Sequence, residues 1–97
     1  MQDVIDVLEP LDPRVARDLI RRAVKTGTVA PSRHALDELK KDGLTMVDVE
    51  NVLKGGVVDS PEWEKGEWRY RVRTSRVEVI VAFNSETDVA VVTAWRV

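Results

Sequence analysis

The run Trp68-Arg69-Tyr70-Arg71-Val72-Arg73 constrains this chain more than any other stretch. Its strict alternation suits a strand, where successive side chains point to opposite faces. Arg69, Arg71 and Arg73 then share one face, and Trp68, Tyr70 and Val72 share the other. The apolar face can be buried. The arginine face cannot be buried without partners, because an unpaired buried charge is costly. The run therefore predicts a sheet covered by helices on one side, with a row of guanidinium groups on the other. Two readings of that row stand open. The arginines form a solvated face paired with Glu67 or Glu78, or they form an anion site, most readily for phosphate, whose oxygens fit the guanidinium fork.

This strand, about Trp68–Thr74, is followed by two more, Val77–Phe83 and Val89–Arg96, all rich in residues that suit a pleated, half-buried surface. The short breaks at 74–76 and 84–88 read as hairpin connections, so the three strands form an antiparallel meander.

Ahead of the meander the periodicity is helical. A first helix runs from Pro13 to about Thr26, with Asp12 as its cap and Gly27 as its stop. Ala16, Leu19 and Ala23 fall on one side, and Arg14, Arg17, Arg21 and Lys25 form a stripe on another. That stripe is a solvated face, a phosphate contact or a dock for an acidic partner peptide. A second helix spans about Arg33 to Asp42, opened by Ser32 and ended by Gly43, with the only histidine, His34, in its first turn. The third spans about Met46 to Lys54. Thr45 and Asp48 there resemble a capping box, and Leu44 and Val49 are placed as a hydrophobic staple. Val57-Val58 starts a short strand, Asp59 to Lys65 reads as a loop carrying Trp63, and residues 1–11 read as a short helix cut by Pro10. The fold class is α+β: helices first, packed on one face of a three- to four-stranded antiparallel sheet.

Ninety-seven residues with 43% apolar content predict one globular domain. A net charge of −2 argues against strong binding of nucleic acid by the whole surface. The charge is uneven: residues 1–62 are net acidic and residues 63–97 slightly basic. With no cysteine there is neither a disulfide framework nor a thiolate nucleophile. No long apolar run and no signal-peptide pattern stand in the sequence, so the expectation is a cytoplasmic protein without a membrane span.

One histidine and no cysteine give no recognisable metal site, and no cofactor is expected. A Gly-rich phosphate loop and a serine nucleophile elbow are both absent. What remains is His34, a row of arginines, Tyr70 and several hydroxyls. These suffice for cleavage of RNA by its own 2′-hydroxyl, which needs a proton carrier and positive charge on the developing phosphorane. His34 can exchange the proton, Arg69 and Arg71 can hold the phosphate, and Tyr70 or Thr93 can donate a hydrogen bond.

The stretch Ser32-Arg33-His34-Ala35 through Gly43-Leu44-Thr45, then Asp48-Val49, Val52-Leu53, Trp68-Arg69-Tyr70-Arg71-Val72 and Val92-Thr93-Ala94-Trp95, resembles small bacterial toxins of the RelE/MqsR-like superfamily. The resemblance covers residues 32–97 as an α+β core and leaves residues 1–31 as an N-terminal helical extension. It implies the toxin of a type II toxin-antitoxin pair. Such a toxin is a metal-independent endoribonuclease that cuts mRNA, free or on the ribosome, and is held inactive by a cognate antitoxin protein. It carries over His34, Arg69 and Arg71 as catalytic residues, with Tyr70 and Thr93 beside them. Arg73, Arg17, Arg21 and Lys25 are then expected to contact RNA. The chain departs from such toxins in being net acidic. The alternative is a non-catalytic protein-interaction module on the same fold.

Overall fold

A computed structural model describes residues 5–97 of the chain. In chain order the elements are α1 (Pro13–Thr26), β1 (Thr28–Pro31), α2 (Arg33–Lys41), α3 (Met46–Gly55), β2 (Val57–Val58), β3 (Glu62–Glu64), β4 (Glu67–Arg73), β5 (Val77–Ser85) and β6 (Asp88–Arg96). The sheet order is β1-β6-β5-β4-β2, with β3 added as a hairpin on β4. The fold is α+β, and the expected meander is β4-β5-β6, antiparallel throughout.

The sheet is larger than expected, six strands rather than three or four, and it is mixed rather than antiparallel. β1 pairs with β6 in parallel, Thr28 opposite Asp88 through Pro31 opposite Val91, and so interrupts the expected run of three helices. Four residues ending in Pro give little strand signal by themselves, and only an edge position tolerates that Pro. Gly27 makes the approach possible: a methyl group there would collide with the Thr87 carbonyl, which accepts from the Thr28 N–H at 2.9 Å.

β3 occupies what read as a loop. Its polar Glu-Trp-Glu sequence is held by a two-residue turn in which Lys65 and Gly66 both have positive φ, 49° and 81°, as tight hairpin turns require. Trp63 lies opposite Trp68, and the rings meet edge-on at 5.2 Å. The expected short helix at the N-terminus is not formed over the described part of that segment. There a turn closes from the Glu9 N–H to the Asp6 carbonyl, while residues 1–4 lie outside the described residues.

The helices follow their caps. Asp12 accepts from the Arg14 N–H at 2.8 Å, and Ser32 accepts from the Ala35 N–H at 3.0 Å. Thr45 and Asp48 exchange bonds in a complete capping box. Leu44 and Val49 are both buried beside it. The three helices cover one sheet face. Ala16, Ile20, Ala35, Leu39, Val49 and Leu53 from that layer meet Tyr70, Val72, Val79, Val81, Val89 and Val91 from the strands. Burying each large apolar side chain contributes roughly 1.5–3 kcal/mol. Tyr70 and Val72 are fully buried and Trp68 packs against the same core, so strand parity places the apolar half of β4 under the helices as expected. Among the described residues, no helix is long and apolar enough to cross a membrane.

Candidate active site on the open sheet face

Register builds the open face. Across β4, β5 and β6, Arg71 pairs with Ile80 and Ile80 with Thr93. Arg73 pairs with Glu78 and Glu78 with Trp95. Arg69 lies opposite Glu62 of β3. Two adjoining clefts lie on this face. The first, about 430 Å³, is lined by Ser32, His34, Lys65, Glu67, Arg69, Thr93 and the β6 segment before Thr93. The second, about 350 Å³, is lined by Asp59, Glu62, Glu64, Arg69, Arg71, Thr93 and Trp95 among others. Arg69 and Thr93 belong to both.

A β-bulge aims Thr93 at the clefts. Ile80 pairs with Thr93, but Val81 pairs with Val91, so Val92 is the extra residue. An extra residue reverses parity beyond it. Val89 and Val91 are thereby buried under the helices, while Thr93 and Trp95 stay on the open side. The bulge also anchors α2. The Ser32 hydroxyl donates to the Val92 carbonyl at 3.2 Å, and the Ser32 N–H donates to the Val91 carbonyl at 2.9 Å. At the other end of α2, Asp42 accepts from the Arg96 N–H at 2.8 Å. His34, exposed two residues after Ser32, is therefore set by a helix fixed to β6 at both ends.

Each arginine of the row has a carboxylate neighbour. Arg69 donates to Glu67 at 2.9 Å and to Glu64 at 3.3 Å, and its side chain is only 18% exposed. Arg71 approaches Glu78 at 3.5 Å and lies over the Trp95 ring, 5.9 Å from its centroid. Arg73 donates to Asp59 at 3.0 Å, and that bond raises the guanidinium pKa above its ordinary value. The Glu67 and Glu78 pairings anticipated from sequence are thus formed. They offset the positive charge of the row, and each pair keeps one half-exposed partner, Glu67 in the first and Arg71 in the second. A ligand phosphate can compete for such donors.

His34, Arg69 and Thr93 come together in the first cleft, and Arg71 joins Arg69 and Thr93 in the second. Tyr70 does not join them. It is fully buried on the covered face, where its hydroxyl accepts from the Leu11 N–H at 2.8 Å. Burial raises its pKa. Arg73 shares the open face by parity but lines neither cleft. Arg17 and Arg21 line a separate groove with Arg14, beside β2, and Lys25 is exposed in the last turn of α1. Sequence reasoning gave Ser32 only as a cap and assigned no part to Lys65 or to the carboxylates of Asp59, Glu62 and Glu64. The Lys65-Gly66 turn between Trp63 and Trp68 was the available signal for the hairpin that brings most of them in.

Residues 32–96 match a family described as a domain of unknown function, DUF4258. The chain belongs to that family. No curated protein and no solved structure gives a significant match. The DUF4258 segment runs from the cap of α2 to the end of β6, so it contains both clefts and every residue that lines them. It leaves out α1 and β1, although the buried face of α1 is part of the same core. The family description assigns no activity and names no toxin.

Proposed function

We propose that this DUF4258 domain is a metal-independent endoribonuclease that cuts mRNA, free or on the ribosome. In this reading it is the toxin of a type II pair, restrained by an antitoxin protein. One observation carries the chemistry: a proton carrier, two guanidinium groups and a hydroxyl, drawn from α2, β4 and β6, line adjoining clefts on one open face. His34 takes the 2′-hydroxyl proton as the 2′-oxygen attacks phosphorus, or returns a proton to the departing 5′-oxygen. Arg69 and Arg71 hold the phosphate as charge builds on it, which is where fixed donors contribute most. Thr93, rather than the buried Tyr70, donates the hydrogen bond. Trp95 offers a face on which a base can stack. The P–O bond to the 5′-oxygen breaks, leaving a 2′,3′-cyclic phosphate on one product and a 5′-hydroxyl on the other.

A second reading, a non-catalytic interaction module, is favoured by the carboxylates beside every arginine of the row. End-group analysis separates the two. Labelled RNA incubated with the protein alone in chelator, or with intact ribosomes in magnesium buffer, should yield fragments ending in cyclic phosphate. RNA left intact in both conditions would favour the interaction module.

A further inference from the structure

A second concave surface lies away from the open sheet face. A groove of about 270 Å³ runs between α1 and the edge strand β2, lined by Pro13, Arg14, Arg17, Arg21, the Gly55-Gly56 pair and the two valines of β2. Three of its residues are arginines and none is acidic. The Arg17 Nε is buried and has no hydrogen-bond partner among the described residues, and the carboxylate of Asp18 stands 3.7 Å away. A donor without an acceptor is unfavourable, and an incoming carboxylate oxygen would supply one to this 42% exposed side chain.

We infer that this groove receives an acidic, extended segment of a partner protein. The charge calls for carboxylates, and the backbone calls for a peptide. β2 is a sheet edge, paired on one side only, with β4. Antiparallel pairing uses alternate residues. The Asp59 N–H donates to the Arg71 carbonyl, so Val58, one position earlier, turns its N–H and C=O away from β4. Such an edge can accept another strand, with side-chain pockets adding specificity. Val57 is 54% exposed beside it and offers an apolar contact. Gly55 and Gly56 put no side chain in the way. Nucleic acid could use the arginines but not the strand edge or the valine, so the lining favours a peptide over RNA. The groove spans the boundary of the DUF4258 segment: its arginines come from α1, outside that segment, and its glycines and strand edge from within it.

The test follows backbone amide signals by NMR during titration with hexaglutamate, and separately with a uridine oligonucleotide. Hexaglutamate should shift Val57, Val58 and the α1 amides while leaving Thr93 unmoved. Its affinity should fall at least about tenfold in an Arg17→Gln, Arg21→Gln double variant that melts like wild type, since two charge-assisted contacts are removed. Added salt should weaken binding in the wild type. If that double variant unfolds, Arg21→Gln alone must still lower the affinity. Absence of shifts in β2, equal affinity of the variants, or tighter binding of the oligonucleotide to the same amides would each overturn the inference.

Discussion

The Ser32 hydroxyl donates to the Val92 carbonyl at 3.2 Å while accepting from the Ala35 N–H at 3.0 Å. One side chain thus caps α2 and fastens it to the bulge that aims Thr93. The histidine and the hydroxyl of the proposed site share this anchor. Ser32→Ala should cost about 0.5–2 kcal/mol of stability, the usual range for a lost cap. It should also lower RNA cleavage at temperatures where the variant remains folded. Denaturant melts alongside cleavage rates check both, and unchanged stability would show that the cap contributes little.

Tyr70 should prove structural. Its hydroxyl accepts from the Leu11 N–H across 59 positions of sequence, and its ring meets Phe83 edge-on at 5.3 Å. Tyr70→Phe keeps the ring and leaves the part-buried N–H without its acceptor, at a cost of about 1–3 kcal/mol. Urea unfolding should show that loss, while the rate of RNA cleavage per folded molecule stays at the wild-type level. A large fall in rate with unchanged stability would return Tyr70 to the chemistry.

Acid should weaken the start of α3. The Thr45 N–H and hydroxyl hydrogen-bond the Asp48 carboxylate and lower its pKa. A carboxyl depressed in the folded state contributes stability above its unfolded pKa and loses it as pH falls through the folded value. Melting temperatures of wild type and Asp48→Asn should therefore differ at neutral pH and converge below about pH 4, where an ordinary Asp takes up its proton. A gap that stays constant down to pH 2 would contradict this.

Much of the fold was legible because local signals agreed with one another. Asp12-Pro13, Ser32 and Thr45 through Asp48 set helix starts that the structure keeps. Alternation along Trp68 to Arg73 gave both faces of β4. Thr28–Pro31 was illegible as a strand because its pairing partner lies 60 positions away, and nothing local to four residues announces a parallel neighbour. The Glu62–Glu64 strand was missed because its polarity suggested a loop, while its stability comes from a turn and a tryptophan pair. For the site, parity separates Arg69 and Arg71 from Tyr70, and the structure keeps that separation, which removes Tyr70 as a donor beside them. A hydroxyl that looked available in sequence is spent on Leu11. The carboxylates that face the arginines come from β4 itself, from β3 and β5, and from the loop after β2. Only folding brings Asp59, Glu62 and Glu64 to that face.

Single-turnover cleavage of a reporter RNA, with ribosomes supplied, tests the central claim most directly. The variants are His34→Ala, Arg71→Ala and Arg71→Lys, with Arg22→Ala, on the exposed surface of α1, as control. His34 is exposed, so truncating it should change stability by no more than about 0.5 kcal/mol, whereas Arg71→Ala also gives up the Glu78 pair and the Trp95 contact, at a cost of about 1 kcal/mol. Loss of a donor aimed at developing charge should slow Arg71→Ala by about 100- to 1000-fold. Arg71→Lys should recover little of that loss, because a point charge does not reproduce the fork. His34→Ala should fall by about 100-fold or more, and Arg22→Ala should cut like wild type. Wild-type cleavage that survives undiminished in folded His34→Ala and Arg71→Ala would contradict the assignment of this face as the active site.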